Sequence, residues 1–189
     1  MKRFSLGTAL SLALLVTLGC SANPNKYYVV NNSSPRISSL GFYISPPPGR
    51  DWYEKHYNDS LFYFKKTGEA NYALTTKATE LLFSNRMDHR QELLEYIEKR
   101  RNSLKTDRRY QNSTFNYSFD TIPTSHCITY QHRYDDYDIH KKGHHPYIKV
   151  FNKGRVCAHP DLPEFGIDLH YMEKSFPEVD VTSYRSEGE

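Results

Sequence analysis

Apolar and polar residues alternate along most of the chain between residues 40 and 175, as they do in half-buried β-strands. The alternation predicts strands over Leu40–Ser45, Trp52–Tyr57, Leu61–Lys66, Asn71–Leu82, Thr114–Ile122, His126–Tyr134 and Phe165–Met172. Two further strands, Tyr147–Phe151 and Arg155–Ala158, are predicted to form a hairpin around Asn152–Gly154, because a three-residue connection favours Gly at its left-handed position. The strands Leu61–Lys66 and Asn71–Leu82 are predicted to form another hairpin.

One segment, Asp88–Leu104, has the spacing of a helix instead of a strand. Its apolar face consists of Leu93, Leu94, Ile97 and Leu104. Asp88 and Gln91 are spaced as in a capping box, and the basic residues 99–101 near the C-terminal end complement the helix dipole. Because strands precede and follow this helix, the predicted fold class is α+β, an antiparallel sheet with one main helix packed on a face.

The first twenty residues have the layout of an export signal. Lys2 and Arg3 precede Leu6–Leu18, an apolar run of about 13 residues, whereas a membrane-spanning helix needs roughly 20. Gly19 and Cys20 close the run, as in a bacterial lipoprotein signal whose new N-terminal cysteine is lipidated. The sequence therefore predicts lipidation at Cys20 and attachment to a membrane through that lipid.

The residues around this cysteine leave one alternative open. Thr17 and Leu18 depart from the usual lipobox, and cleavage after Ala22 by the ordinary signal peptidase is the other interpretation. Ser21 follows the cysteine, and by resemblance to the enterobacterial sorting pattern the lack of Asp there favours the outer membrane. The expected location is the bacterial cell envelope, with the protein on the outer membrane facing the periplasm.

The predicted organisation has four parts. Residues 1–19 form a signal peptide, 20–39 the lipidated cysteine and a flexible tether, 40–175 a single α+β domain, and 176–189 a loose C-terminal tail. Without the signal, the formal charge falls from +3 to about +1, and the basic residues are scattered among acids. Such a charge distribution gives little attraction for nucleic acid, so no nucleic-acid partner is expected.

Aromatic residues are abundant, with 16 Tyr and 10 Phe against the single Trp52. Aromatic side chains suit half-buried strands, so a sheet-rich domain explains them. A surface of exposed tyrosines that stacks on sugars or peptidoglycan is the alternative, and only knowledge of which rings are exposed separates the two.

Two cysteines, Cys127 and Cys157, remain after the signal. In an oxidising compartment an even pair predicts a disulfide, here a cross-strand bridge. A metal or redox pair is the competing interpretation, although the chain has no CxxC motif.

Seven of the nine histidines lie between residues 126 and 170, among several acids, which makes a metal site the main alternative function. The candidate ligands in the densest part are His140, His144 and His145. Their spacing matches no known ligand motif and two lysines lie among them, so no metal and no cofactor are predicted.

An envelope hydrolase is the less favoured alternative. The chain has no GxSxG or SxxK motif. His126 is adjacent to Cys127, but neighbouring side chains on a strand point to opposite faces. The protein is therefore expected not to be an enzyme.

Five segments together resemble a group of uncharacterised proteobacterial lipoproteins. They read GFYISPPPGRDWYEKHY, NYALTTKATEL, ELLEYIEKRR, HCITYQHRYDD and RVCAHPDLPEFGIDLHYMEK. The recurring features are a loose PPGxxW at Pro47–Trp52, the paired cysteines, CxHP at Cys157–Pro160 and Y-x-E at Tyr171–Glu173. The element order is also similar to the Mog1/PsbP-like fold, an analogy of topology that carries no function. The resemblance implies an exported lipoprotein and brings no catalytic residues with it.

Together these features predict an envelope lipoprotein with a non-catalytic binding or assembly domain, whose partner is an envelope protein or a glycan.

Overall fold

The computed structural model of this chain describes residues 26–65, 67, 72–120, 126–137 and 145–179. Within these ranges it contains ten strands and one helix. The strands are β1 (Tyr28–Val29), β2 (Arg36–Ile37), β3 (Tyr43–Ile44), β4 (Trp52–His56), β5 (Ser60–Lys65), β6 (Tyr72–Leu82), β7 (Tyr110–Phe119), β8 (Cys127–Asp136), β9 (Ile148–Ala158) and β10 (Phe165–Ser175), and the helix is α1 (Arg90–Thr106).

Eight strands form one antiparallel sheet in the order β1-β4-β5-β6-β10-β9-β8-β7, and β2 pairs with β3 separately. Strands β4 to β6 are successive neighbours, and α1 then carries the chain from the middle of the sheet to its far edge. Strands β7 to β10 return as neighbours until β10 pairs with β6. The last strand therefore lies in the centre of the sheet, where it joins the two meanders.

The predicted antiparallel sheet with one helix is confirmed, and the sheet dominates the described structure. The predicted hairpin of segments 61–66 and 71–82 is confirmed by the pairing of β5 with β6. Strand pairing also extends into the segment 20–39 that the sequence predicts as a tether, since β1 pairs with β4 and β2 with β3.

The predicted hairpin around Asn152–Gly154 is wrong, because Ile148–Ala158 is a single continuous strand. Gly154 lies in the middle of that strand, paired with Tyr130 on one side and His170 on the other. A Cβ added to Gly154 would lie 2.4 Å from Cζ of Tyr130. Glycine is therefore needed here for the close approach of a ring, and not for a turn.

The helix begins later than predicted, at Arg90, with His89 as its N-cap residue. The Glu92 side chain accepts a hydrogen bond of 2.8 Å from the backbone N–H of His89, in the place predicted for Gln91. Asp88 instead forms an ion pair of 3.1 Å with Arg86. The predicted capping pair of Asp88 and Gln91 is therefore wrong by one residue, because Glu92 satisfies the first free N–H group.

The two faces of the sheet bury separate clusters. On one face, the helix side, Leu93 and Ile97 of α1 share a buried cluster with Ile128, Tyr130 and Val156. On the opposite face, the groove side, the buried cluster contains Ile44, Trp52, Leu61, Tyr63, Tyr72, Leu74, Ala78, Ile167 and Tyr171. A sheet that is apolar on both faces needs cover on both, and Leu93 and Ile97 of α1 contribute to one cluster while residues 30–51 contribute to the other.

The predicted disulfide between Cys127 and Cys157 is confirmed. The two residues are direct partners in the register of β8 and β9, with their Cα atoms 4.1 Å apart. Across the described ranges, the structure has no helix long and apolar enough to span a lipid bilayer.

Candidate binding groove

A groove of about 450 Å³ lies on the groove side of the sheet. Its floor comes from β6, β8, β9 and β10, and one wall is the segment Ser45–Pro48. Ligand sites in proteins commonly enclose roughly 300–1,000 Å³ and are mainly apolar with a few polar groups. The groove falls within this range and therefore serves as the candidate functional site.

The proline wall follows directly from the sequence. Pro46, Pro47 and Pro48 have no backbone N–H to donate to a neighbouring strand, so this segment leaves the sheet after β3 and passes over it. The indole N–H of Trp52 donates a hydrogen bond of 2.9 Å to the Pro48 carbonyl. Because Trp52 is only 1% exposed, this bond fixes the end of the wall to the core.

The groove floor combines one exposed aliphatic side chain with a fixed tyrosine. Leu169 is 40% exposed although it lies on the central strand β10. Tyr171, two residues later, is buried and donates a hydrogen bond of 2.6 Å to the Glu173 carboxylate. Burial, and then the Glu173 carboxylate, raise the pKa of Tyr171 far above its ordinary value, so its hydroxyl stays protonated and acts as a donor.

Positive charge lies beside this apolar floor. Lys153 and Arg155 line the groove from β9, opposite Tyr171 and Leu169 in the strand register. Arg155 also forms an ion pair with Asp120, which holds its guanidinium at the rim. The groove thus offers an apolar strip flanked by cations, an arrangement that suits a ligand with both apolar groups and an anionic group.

A buried polar network occupies the helix side instead. The Arg100 guanidinium lies 2.5 Å from Oδ2 of Asp168, and the Tyr130 hydroxyl donates a bond of 3.1 Å to Oδ1. Burial alone raises the pKa of the Asp168 carboxyl, but the His170 imidazole 3.6 Å away and the charge of Arg100 outweigh it and lower the pKa below its ordinary value. The position of Arg100 near the C-terminal end of α1 predicts an interaction with the helix dipole, and the structure shows an ion pair with the central strand β10.

One serine–histidine contact bears on the hydrolase alternative, and no motif in the sequence indicates it. Ser113 Oγ lies 2.9 Å from Nε2 of His132, beside a register shift in β7. Burial, and then the charge of Arg100, lower the pKa of His132 to about 4, so the imidazole is neutral near pH 7. The rings of Phe115 and Tyr134 pack 5.4 and 4.6 Å from the imidazole, and His132 is 3% exposed. The contact is therefore enclosed by packed side chains, and Cys127, next to His126, is held in the disulfide.

The described histidines between residues 126 and 170 serve separate contacts. Nδ1 of His159 accepts two backbone N–H groups, His170 faces Asp168, and His145 packs against Phe176 and pairs with a glutamate 3.1 Å away. In the part of the chain that the structure describes, no three metal-binding side chains come together. Of the candidate ligands, only His145 is described.

Several predicted positions lie outside the described residues. They are the signal peptide 1–19, the lipidation site Cys20, and the candidate metal ligands His140 and His144. The sequence does not predict the groove, because its floor joins β6, which precedes the helix, to β8, β9 and β10, which follow it. The run of three prolines was the one local signal of a segment that leaves the sheet.

No protein-family model, curated protein or solved structure matches this chain. The resemblance to proteobacterial lipoproteins therefore stays a prediction.

Proposed function

We propose that this protein is a membrane-anchored lipoprotein of the bacterial envelope, with a non-catalytic domain that binds another envelope component in the groove. The observation that carries the proposal is an apolar groove of about 450 Å³ flanked by Lys153 and Arg155. The anchor is Cys20, and the location is the periplasmic face of the outer membrane. In this proposal the helix covers one sheet face and the cross-strand disulfide braces the sheet, which leaves the groove side for the partner.

The chemistry of the groove favours a protein segment over a glycan. Sugar binding by stacking needs an exposed aromatic face, but Trp52 is 1% and Tyr171 8% exposed. The accessible apolar groups of the groove are aliphatic, namely Leu169 on the floor and Pro48 on the wall. Aliphatic contact beside Lys153 and Arg155 suits a peptide segment with apolar residues and at least one carboxylate.

The lipid anchor is tested by replacing its cysteine. Cys20→Ser is expected to abolish acylation, which the intact mass reports. In detergent phase partition, the variant is expected either to move from the detergent phase to the aqueous phase or to remain unprocessed. Ala22→Leu separates the two interpretations, because it blocks ordinary signal peptidase cleavage and leaves lipoprotein processing intact. Membrane fractionation of Cys20→Ser that equals the wild type would contradict the anchor.

The groove is tested with a photo-crosslinking residue at Leu169 in the full chain in the envelope. Leu162 is the matched control, since it is 43% exposed against 40% for Leu169 and does not line the groove. We expect a discrete crosslink to a peptide segment of one partner protein from position 169 and none from position 162. Lys153→Glu is expected to lower the yield of the crosslink from position 169. Identical products from both positions would refute the groove as the binding site.

A further inference from the structure

A second surface lies on the helix side of the sheet, at the edge formed by β1, β4 and β5. This aromatic surface consists of Tyr27, Val29, Tyr53, Lys55, Tyr57, Phe62 and Phe64. Its outer members are well exposed, with Tyr27 at 48%, Val29 at 54% and Tyr57 at 49%. The rings of Tyr53, Phe62 and Phe64 are half-buried between them.

The rings of this surface are held in place by their neighbours. Phe64 stacks on Tyr53 with 5.0 Å between ring centroids and meets the edge of Tyr27 at 4.8 Å. The ammonium of Lys55 lies 5.2 Å from the centroid of Tyr27 and 4.7 Å from that of Tyr57. Strand pairing explains the cluster, because Tyr53 is opposite Phe64 in the antiparallel register.

The charge at this edge of the helix side is positive. Lys55 lies inside the surface, between the rings of Tyr27 and Tyr57, and Lys77 is opposite Phe62 in the register. Alternation places Glu54 and Glu80 on the groove side, and the described strand residues of β1, β4, β5 and β6 put no carboxylate on the helix side. This edge therefore complements an anionic surface.

The chain reaches this surface directly from the proposed lipid anchor. Lys26 is the sixth residue after Cys20, and an extended chain spans at most about 3.6 Å per residue, so the two lie within about 22 Å of each other. Tyr27 and Tyr28 follow at once. An anchored protein therefore keeps this edge within reach of the headgroup region of its own membrane.

We propose that the aromatic surface docks on the headgroup region of an anionic bilayer, and so sets the orientation of the anchored domain. This proposal rests on the lipid anchor of the proposed function. Tyrosine rings are enriched at the membrane–water interface, and lysines near the surface are attracted to anionic lipids. The contact is weak by itself, but the anchor provides a high effective concentration. Docking through the helix side turns the groove away from the membrane, toward the periplasm.

The test compares two adjacent residues of β1 in the lipidated full chain. Val29 belongs to the aromatic surface, whereas Tyr28 points to the groove side, and their exposures are similar at 54% and 43%. Both are equally close to the anchor. In Val29→Cys and Tyr28→Cys the new thiol is the sole free one, because Cys127 and Cys157 are bonded and lipidation modifies Cys20.

Each variant carries an environment-sensitive fluorophore and is reconstituted in vesicles of phosphatidylethanolamine and phosphatidylglycerol that contain a headgroup spin label. We expect at least about twofold stronger quenching at position 29 than at 28, and loss of this difference in Lys77→Glu or in high salt. Equal quenching at both positions in vesicles that retain the protein would overturn the docking and leave the anchor intact.

Two other outcomes also overturn the proposal. Failure of the unlabelled wild type to float with vesicles, with no acyl mass, would remove the anchor and the docking together. Equal quenching combined with binding to insoluble peptidoglycan that Tyr57→Ser abolishes would assign the aromatic surface to a glycan.

Discussion

The ion pair between Arg100 and Asp168 is the charged contact that links α1 to the central strand β10, and its removal is expected to be asymmetric. Asp168 is 3% exposed and accepts bonds from Arg100 at 2.5 Å and Tyr130 at 3.1 Å. Arg100→Met leaves that carboxylate buried without its main cation. We expect a loss of about 3–5 kcal/mol in the free energy of unfolding.

Replacing the other partner of the ion pair, Asp168, is expected to cost less, because water can solvate the Arg100 guanidinium. The Arg100 side chain is 37% exposed, so in Asp168→Asn it can turn toward water. A loss of about 1–3 kcal/mol is expected. The double variant should be more stable than the sum of the two losses implies, by about 1–3 kcal/mol, because it leaves no unpaired charge.

The assay is urea unfolding at pH 7 with the disulfide oxidised, followed by circular dichroism and by fluorescence of Trp52, the sole tryptophan, which is 1% exposed. Lys99→Met is the control on an exposed position of the same helix, and it should change stability by less than about 0.5 kcal/mol. Additive losses within about 0.5 kcal/mol would refute the coupling. So would an Asp168→Asn variant that is less stable than Arg100→Met.

The same network predicts a response to acid. The folded state lowers the pKa of Asp168 below its ordinary value of 3.8, so the ionised form is favoured more in the folded than in the unfolded state. Its contribution is complete above pH 3.8 and is lost as the pH falls through the lower folded pKa. The stability difference between the wild type and Asp168→Asn should therefore shrink in strong acid.

Three further predictions concern other parts of the sheet. Replacing Cys127 and Cys157 by alanine should lower the free energy of unfolding by about 3–4 kcal/mol, measured with urea, because the bridge closes a loop over a sequence separation of 30. His132 has a folded pKa of about 4 against an ordinary 6.5, so the wild type should lose stability as the pH falls from 6.5 toward 4. The loss in the free energy of unfolding is at most about 1.4 kcal/mol per pH unit, and His132→Gln should not show it. Gly154→Ala should lower the midpoint of thermal unfolding and cost about 1–3 kcal/mol, because its Cβ would lie 2.4 Å from the Tyr130 ring, and an unchanged midpoint would show that this ring moves freely.

The alternation of apolar and polar residues predicts much of the sheet, because it repeats every two residues within each strand. In β8 the residues Ile128, Tyr130 and His132 are buried on one side, as the sequence pattern indicated. In β6, Tyr72 and Leu74 are buried while Ala73 between them is exposed. Such patterns are readable because each side chain's face depends only on its position in its own strand.

Local rules failed where a distant residue determined the conformation. Asn152–Gly154 has the composition of a turn, yet the ring of Tyr130 requires glycine within a straight strand. Arg100 looks like a residue that complements the helix dipole, yet Asp168 on the last strand binds it. In both cases the partner is more than twenty residues away, so no local pattern reports it.

The sequence by itself determined the strand-rich character, the one helix and the cysteine pair, because periodicity and residue chemistry are local properties. It also predicts export and lipidation from the first twenty residues. Only the tertiary structure decided the strand order, which places β10 between β6 and β9 and so brings Leu169, Tyr171 and Lys153 beneath the proline wall. The groove and the aromatic surface lie on opposite faces of this sheet, and both depend on long-range strand pairing that no short segment encodes.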